Sequence, residues 1–328
     1  MIRVGIIGAG FIGELHARAV HRTPGAELVA ACRNDEKALA EFCSAHRCLP
    51  FSDYHKLIAS DAIDAVVIAT PHHLHSGIAV DAARAGKAIL LEKPMAPSMQ
   101  ECDEILAAVG RHRVPFMVGF VNHFAKAYKS AKAVLSSGEM GEAVMGSSTM
   151  AKVWMEPNRR SWHLDRRSGG GMWLTAGIHC LDRLTWLFGS KIKRVSASFG
   201  TRFHRQNSDD SGLVFVRFEN GAVGSVTSVG YRTGAPNHLT DLYCSEGALR
   251  IDYSRGVEIG REEKWTTLPD SGSEHWLPEA IDAEWGAFIG ALTSGSEMPV
   301  SGEYGRHVMA AAFAAEESAR TGRETDVI

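Results

Sequence analysis

Short, continuous apolar runs alternate with amphipathic stretches in the first part of the chain, up to about residue 122. The runs predict five strands, at residues 2–7, 27–32, 64–70, 88–92 and 115–120. They are apolar along most of their length instead of at every second position, which is typical of strands buried on both faces. The stretches between them have the length and polarity of helices. The pattern therefore predicts an α/β fold, with a parallel sheet covered by helices on both faces.

After residue 122 the apolar and polar positions alternate, which is typical of strands with one buried face. The alternating segments are residues 144–154, 194–200, 211–219, 222–231 and 239–252. Helical stretches precede and follow them, at residues 125–138, 279–292 and 304–321. The pattern predicts a C-terminal α/β domain on an open, largely antiparallel sheet with helices on one face. We expect two domains, residues 1–122 and 123–328, because 328 residues exceed one ordinary core.

Composition narrows the class of protein without naming a function. The formal net charge is −3, and both signs are spread along the chain, so no basic stripe indicates nucleic-acid binding. No apolar run reaches the roughly 20 residues that span a bilayer, and the N-terminus lacks a secretory signal. The six cysteines are scattered and form no CxxC pair. These features predict a reduced, cytoplasmic protein that binds neither nucleic acid nor membrane.

A glycine-rich motif follows the first predicted strand at once: Gly8-Ala9-Gly10-Phe11-Ile12-Gly13. Its position between a strand and a helix is the context in which G-x-G-x-x-G binds a dinucleotide. Gly8 allows a tight turn, Gly10 lets the backbone approach the pyrophosphate, and Gly13 lets helix and strand pack closely. The free N–H groups of the helix N-terminus complete the phosphate site. The alternative is a glycine turn without a ligand.

The end of the second strand bears on the choice between NADP and NAD. An NAD site usually has Asp or Glu there, to accept hydrogen bonds from the ribose hydroxyls. Here the strand ends in Cys32-Arg33-Asn34, and a guanidinium grips a 2′-phosphate as a fork. The prediction is NADP or NAD, with NADP favoured. The alternative is that Arg33 is a solvated arginine and that Asn34 or Asp35 holds the ribose.

Lys93 ends the fourth predicted strand, at the edge of a parallel sheet where ligands bind. Pro94 restricts Lys93 to an extended backbone, and the peptide bond between them is a candidate for the cis form. A lysine at this edge is suited to exchange a proton with a substrate hydroxyl. The alternative is a lysine paired to a surface carboxylate.

The chain resembles the Gfo/Idh/MocA family, the oxidoreductases related to glucose–fructose oxidoreductase and inositol dehydrogenase. The resemblance covers nearly the whole length. It rests on GIIGAGFIGELHARAV, on Ala69-Thr70-Pro71 with His75, on AGKAILLEKPMA, on MVGF at 117–120 and on residues 168–189. The resemblance implies an N-terminal Rossmann domain and a C-terminal domain that carries the substrate. It also implies a homodimer or homotetramer, which we expect to form through the C-terminal sheet.

The resemblance further implies the catalytic residues. The family's essential lysine matches Lys93. After a triple glycine the family reads Asp-x-x-x-His, and here His179 matches, whereas Thr175 replaces the aspartate. His179 is then the best candidate for the main acid–base group, and it shares one helical face with Thr175 if the segment is helical. The alternative is a satisfied core histidine. Asp182 is placed to hold the His179 ring, or else to pair with Arg183 or Arg166.

The rest of the predicted site lies in loops at the strand ends. The expected cofactor contacts outside the glycine motif are Cys32, Arg33, Thr70, Pro71, His72, His75, Glu92 and Lys93. The expected substrate contacts are Lys93, Asn122, His123, Trp162, Thr175 and His179. His72, His73 and His75 invite a metal reading, but their loop favours ribose and substrate contacts, so no metal is expected. Trp154, Trp162 and Trp173 form either a wall for a sugar or part of the core.

Two hypotheses of function follow. The first is an NAD(P)-dependent dehydrogenase or reductase that moves a hydride between the nicotinamide and a secondary alcohol or ketone. Its substrate is small and polyhydroxylated: a sugar, an inositol or a cyclic diol. The second is a dinucleotide-binding sensor or regulatory protein on the same fold without turnover. Thr175 favours the second slightly, whereas Lys93 and His179 favour the first. An enzyme that keeps its cofactor bound and uses it in both directions is a third possibility.

Overall fold

The computed structural model of the protein describes residues 1–156 and 159–328. These residues form two compact units. The N-terminal unit contains residues 1–121 and 281–306, and the C-terminal unit contains residues 122–280 and 307–328. In the described part of the chain, every helix is too short or too polar to cross a membrane.

The N-terminal unit is built on a six-stranded sheet. Its strands are β1 (Ile2–Ile7), β2 (Ala26–Cys32), β3 (Leu49–Phe51), β4 (Ala65–Ile68), β5 (Ala88–Glu92) and β6 (Phe116–Gly119). Its first helices are α1 (Phe11–Arg22), α2 (Glu36–His46), α3 (Tyr54–Ile58), α4 (His75–Arg84) and α5 (Met99–His112). The strand order is β3-β2-β1-β4-β5-β6, and every pair is parallel. The predicted parallel Rossmann sheet is confirmed.

The short elements β3 and α3 were not predicted from the sequence. β3 has only three residues, Leu-Pro-Phe, and both Leu49 and Pro50 are exposed. Its place at the sheet edge explains why a proline is tolerated, because an edge strand needs fewer of its N–H groups for pairing. A run this short carries no detectable periodicity.

Residues 281–306 pack on the N-terminal unit, although the sequence assigned them to the domain 123–328. They comprise most of helix α8 (Trp276–Ser294) and the start of α9 (Gly302–Thr321). The indole N–H of Trp285 donates to Nδ1 of His16 over 2.9 Å, and Arg22 pairs with Asp282 at 2.6 Å. Contacts so distant in sequence leave no trace in local periodicity, so the sequence alone places these residues with the segment that precedes them.

The C-terminal unit is built on a nine-stranded sheet. Its strands are β7 (Ala143–Val153), β8 (Ile192–Gly200), β9 (Ser211–Phe218), β10 (Val223–Tyr231), β11 (Thr240–Cys244), β12 (Gly247–Asp252), β13 (Gly256–Arg261), β14 (Lys264–Thr267) and β15 (Thr325–Asp326). The strand order is β14-β13-β12-β11-β7-β10-β9-β8-β15. Only the β7–β10 pair is parallel among the described strands of this sheet. The predicted open, largely antiparallel sheet is confirmed.

One face of this sheet is covered within the unit and the other is open. Helices α6 (Lys126–Ser136) and α7 (Ile178–Phe188) lie against the covered face. Along β9 the residues alternate strictly, with Val214 and Val216 buried and Leu213 and Phe215 exposed. The strand register places further exposed apolar side chains on the same open face as Leu213 and Phe215. They are Met145, Tyr243 and Trp265.

Candidate active site

The glycine-rich motif forms a tight turn between β1 and α1. Gly8 has φ +103, and a Cβ there would lie 2.5 Å from the carbonyl oxygen of Ala69. A Cβ on Gly13 would overlap the carbonyl oxygen of Gly8. Gly10, by contrast, is exposed and faces open space, and it caps α1 without a side chain. Packing therefore requires the outer glycines, whereas the middle one leaves room for a phosphate group at the helix N-terminus.

Arg33 lies beside this turn. Its Nη1 donates to the carbonyl oxygen of Ala9 over 2.8 Å, which holds the guanidinium at the phosphate end of the sheet. The neighbouring Cys32 is buried, and burial together with the charge of Asp53 raises the pKa of its thiol to about 11. Asp35, the alternative ribose ligand, accepts a hydrogen bond from the backbone N–H of Ala38 and caps α2.

The loop after β4 is tied to the loop after β5 by His75. This side chain is fully buried, with Nδ1 2.9 Å from the carbonyl oxygen of Pro94 and Nε2 2.9 Å from that of Thr70. Burial lowers the pKa of His75, and a neutral ring donates to only one of the two carbonyls. His75 thus supports the loop after β4 from within the protein, where the sequence predicted a cofactor contact. Within residues 1–156 and 159–328, no cluster of three or more His, Cys, Asp or Glu residues is arranged to hold a metal.

Lys93 stands at the end of β5, half-buried, and its peptide bond to Pro94 is cis. Its backbone N–H donates to Oε2 of Glu92 over 3.2 Å, and Oε1 of Glu92 lies 3.0 Å from Nε2 of His16. The indole N–H of Trp285 can only donate, so Nδ1 of His16 carries a lone pair. Nε2 of His16 therefore carries a proton, which it donates to Oε1 of Glu92. The Glu92 carboxylate is engaged inside the protein, although the sequence offered it as a cofactor contact.

A second buried carboxyl group lies in the same unit. Burial disfavours the charge of Glu92, but the hydrogen bond from His16 and the nearby charge of Lys93 outweigh it and lower the pKa of Glu92. Glu284 is fully buried, and neither of its oxygens has a hydrogen-bond partner among the described residues. Burial, and then the charge of Glu92, raise the pKa of Glu284 well above its ordinary value. The surroundings thus favour the ionised form of Glu92 and the neutral form of Glu284. No sequence motif pointed to Glu284 or to His16.

In the C-terminal unit, Thr175 and His179 lie on different kinds of helix. Thr175 is buried in a π-helical turn, Trp173–Gly177, and His179 follows in the first turn of α7. The four-residue spacing between them therefore runs from a π-helical turn into an α-helix, and a π-helical turn is wider than an α-helical one. Single π-turns are frequent at functional sites. His179 is half-buried.

His179 is held by a chain of buried polar side chains. Its Nδ1 lies 3.1 Å from the side-chain nitrogen of Asn122, which is itself fully buried. The hydroxyl of Tyr253 donates to the other amide atom, Oδ1 of Asn122. The guanidinium of Arg183, also fully buried, donates in turn to the Tyr253 hydroxyl. The sequence gave no signal for Tyr253, which lies more than 70 residues beyond the histidine motif.

Asp182 is buried on the same helix as His179. Its Oδ2 lies 3.3 Å from the side-chain nitrogen of Asn122, and its Oδ1 lies 2.7 Å from Nε2 of His123. Arg166, offered as an alternative partner of Asp182, forms a bidentate ion pair with Glu316 at 2.6 Å. Asn122 and His123, expected as substrate contacts, thus both engage this buried carboxylate.

The three tryptophans divide between core and surface. Trp154 and Trp173 are fully buried, and their indole N–H groups donate to Gln206 and to the carbonyl oxygen of Ala312. They belong to the core. Trp162 is half-buried and stacks on the ring of His163, with the ring centroids 3.7 Å apart.

Two family profiles match successive parts of the chain. Residues 2–120 match the profile of the oxidoreductase family with an NAD-binding Rossmann fold, and residues 128–250 match the GFO/IDH/MocA C-terminal domain. A protein named uncharacterized oxidoreductase, from Streptococcus pneumoniae serotype 4, is 31% identical over 77% of this chain and 69% of its own length. Inositol 2-dehydrogenase from Rhizobium meliloti is 28% identical over 99% of both chains.

A solved structure of levoglucosan dehydrogenase, in complex with NADH and levoglucosan, has a TM-score of 0.91 with 25% identity over 99% of both chains. A glycine-rich phosphate turn on a six-stranded parallel sheet, followed by a mixed-sheet domain, defines an oxidoreductase of the NAD-binding Rossmann class. The chain belongs to the Gfo/Idh/MocA family. The resemblance of its motifs to that family is confirmed.

Proposed function

We propose that this protein transfers a hydride between a nicotinamide dinucleotide and a secondary alcohol or ketone of a sugar, an inositol or a cyclic diol. The observation that carries the proposal is the placement of Lys93. It ends a strand of the same parallel sheet whose Gly10 leaves space for a phosphate group at the N-terminus of α1. The names of the relatives, an inositol dehydrogenase and a levoglucosan dehydrogenase, support this substrate class.

The residues of the N-terminal unit fit the cofactor. The turn from Gly8 to Gly13, including the backbone of Phe11 and Ile12, would hold the pyrophosphate, and Arg33 the adenosine ribose. The loop of Thr70, Pro71 and His72 would line the path towards the nicotinamide. When bound, the nicotinamide supplies the hydride acceptor or donor.

Lys93 then handles the proton that accompanies the hydride. In oxidation, the neutral amine takes the hydroxyl proton as the carbinol C–H bond breaks and the C=O bond forms. In reduction, the ammonium returns that proton to the oxygen. We propose His179 as the second catalytic residue, with Thr175 in place of an aspartate, and Trp162 and His123 as residues near the substrate. Thr175 offers a hydrogen bond but no negative charge.

We further propose that NADP binds more tightly than NAD. Two observations support this preference. A hydrogen bond holds Arg33 at the glycine-rich turn, and the second strand ends in Cys32 and Arg33 where NAD sites usually have Asp or Glu. A guanidinium there favours a 2′-phosphate over a ribose hydroxyl. The solved relative named above contains NADH, so this preference is proposed for the present chain alone.

The open face of the nine-stranded sheet supports assembly into a homodimer or homotetramer. Five large apolar side chains lie exposed on that one face, and such patches on soluble proteins mark interaction sites. We propose that a second copy covers them. The cytoplasmic location predicted from the cysteines stays a prediction.

The experiment is a panel of sugars, inositols and cyclic diols, each assayed with NAD and NADP by the absorbance of the reduced nicotinamide. Turnover of at least one polyol, abolished in Lys93→Ala, is the expected result. Tight cofactor binding without turnover across the panel would refute the proposal and favour the sensor. Titrating both cofactors into the same preparation tests the NADP preference separately.

A further inference from the structure

Asn122 lies at the centre of the buried polar chain behind His179. It follows the end of the N-terminal unit directly, and its side chain is fully buried among groups of the C-terminal unit. Its amide contacts three side chains, those of Tyr253, Asp182 and His179. Each of these contacts restricts which amide atom is the oxygen and which is the nitrogen.

The neighbours fix the orientation of this amide from two sides. Arg183 can only donate, so the Tyr253 hydroxyl accepts from it and has its own proton left to donate. That proton points at Oδ1 of Asn122. On the other side, the Asp182 carboxylate can only accept, which requires the NH₂ group to face it. If the amide were flipped, the oxygen of Asn122 would lie about 3.3 Å from Oδ2 of Asp182, and two acceptors would face each other without a proton between them.

The orientation of Asn122 determines where His179 carries its proton. The amide nitrogen has two hydrogens and no lone pair for hydrogen bonding, so one hydrogen points at Asp182 and the other at Nδ1 of His179. Nδ1 must therefore be the unprotonated ring nitrogen. The ring proton resides on Nε2, and adding a second proton at Nδ1 would set N–H against N–H.

We propose that Asn122, held by Tyr253 and Arg183, is a positioning residue that fixes His179 as the neutral tautomer with its proton on Nε2. This inference rests on the proposed function and deepens it. His179 then donates a hydrogen bond to the substrate oxygen and does not remove the hydroxyl proton, which passes to Lys93. The expectation that His179 is the main acid–base group is replaced by the role of a hydrogen-bond donor.

The direct test is ¹⁵N NMR of the full-length, cofactor-free protein labelled at its 15 histidines. The His179 signals are identified by their loss in His179→Gln. We expect the chemical shift of an unprotonated nitrogen at Nδ1 and of a protonated one at Nε2. Asn122→Asp replaces the donor by an acceptor, so Nδ1 should become protonated. A wild-type ring with its proton on Nδ1 would overturn the inference without any variant.

Tyr253→Phe tests the remote part of the chain. It removes the hydroxyl that orients Asn122, so we expect a mixture of the two tautomers and a kcat at least about 10-fold lower, with cofactor affinity within about 2-fold of wild type. The matched control is Tyr128→Phe. Tyr128 is equally buried and also packs on Arg183, but its hydroxyl bonds to Thr240 and not to Asn122.

Failure of the inference and failure of the proposed function give different results. A protein that turns over no polyol but shows the Nε2 tautomer loses the proposed function and keeps the positioning role of Asn122. A protein that turns over a polyol with Nδ1 protonated keeps the function and loses the inference. Equal loss of kcat in Tyr253→Phe and Tyr128→Phe, with unchanged ¹⁵N shifts, would reduce Tyr253 to a packing residue.

Discussion

The buried carboxyl of Glu284 gives a prediction about how stability depends on pH. In the folded protein, burial and the charge of Glu92 raise the pKa of Glu284, so it keeps its proton above the pH at which a free glutamate loses it. In the unfolded chain the same group has its ordinary pKa of about 4.3. The perturbation is Glu284→Gln, which keeps the shape of the neutral side chain and cannot ionise.

The sign and size follow from proton linkage. A group whose folded pKa is raised contributes stability that is present below its unfolded pKa and lost as pH rises towards the folded one. The loss amounts to about 1.4 kcal/mol per pH unit above about 4.3, for as long as folded Glu284 stays protonated. Glu284→Gln lacks this slope. The new amide has two buried donors, which costs about 1–3 kcal/mol, but that cost is equal at every pH.

The assay is urea unfolding of wild type and Glu284→Gln at pH 5, 6, 7 and 8, about one unit apart. The difference in the free energy of unfolding, variant minus wild type, should grow in favour of the variant as pH rises, by at most about 1.4 kcal/mol per unit and only while folded Glu284 keeps its proton. Glu303→Gln, an exposed site in the same unit, is the control and should show no such trend. The infrared difference between wild type and Glu284→Gln gives a second readout, a protonated-carboxyl band that the variant lacks; the band of Asp209, whose pKa is about 7, is common to both proteins and cancels. A flat difference with no such band would refute the reasoning.

Three further predictions concern the site and its surroundings. Lys93→Ala and Lys93→Arg should both lower kcat by a factor on the order of 10² or more, because neither side chain can exchange a proton. Cofactor affinity, measured by titration, should stay near wild type. Near-normal turnover in either folded variant would contradict the assignment of Lys93. Arg33→Ala should lose roughly 1–3 kcal/mol of NADP affinity and little NAD affinity in calorimetric titrations. The control is Arg18→Ala, on the exposed side of α1, which should change neither affinity. Equal losses for both cofactors in Arg33→Ala would exclude a 2′-phosphate contact. Asp209 accepts a hydrogen bond from the backbone N–H of Trp173 at the start of the π-turn, and burial, with the charge of Glu316, raises the pKa of Asp209 to about 7. Because that pKa is raised, wild type should lose roughly 2–4 kcal/mol of stability between about pH 4 and 7. Asp209→Asn should flatten this part of the plot of unfolding free energy against pH, whereas the exposed control Asp61→Asn should not. Parallel plots for Asp209→Asn and wild type would contradict the raised pKa of Asp209.

The Rossmann sheet could be predicted from the sequence because its strands are short apolar runs separated by helices of ordinary length. The cofactor turn and Lys93 were equally accessible, since each lies in a motif of adjacent residues next to a strand. The side chains that support this turn and Lys93 could not be predicted from the sequence. His16 and Trp285 are 269 positions apart, and only the folded chain brings their N–H and lone pair together.

The π-turn shows a different limit of sequence reasoning. Residues 173–177 have the apolar character of a helix, and nothing in their composition indicates a wider turn before α7. Thr175 and His179 therefore lie on two different types of helix, although the sequence reads as one continuous helical segment. Likewise, Asn122 was predicted to face the substrate because it follows a strand. Its burial follows instead from Tyr253 and Asp182, residues that no local pattern connects to it.

The return of residues 281–306 to the N-terminal unit has a consequence for how the protein is made. The first 121 residues leave the ribosome without the indole of Trp285 that completes the contacts of His16. At about 5–20 residues per second, the missing segment follows roughly 10–40 s later. During that interval the nascent unit lacks the side chains of α8 that pack beside α1, and the surface left uncovered is open to chaperones and to aggregation. Ribosome-bound chains arrested before residue 281 should therefore be digested by protease much faster than the released protein.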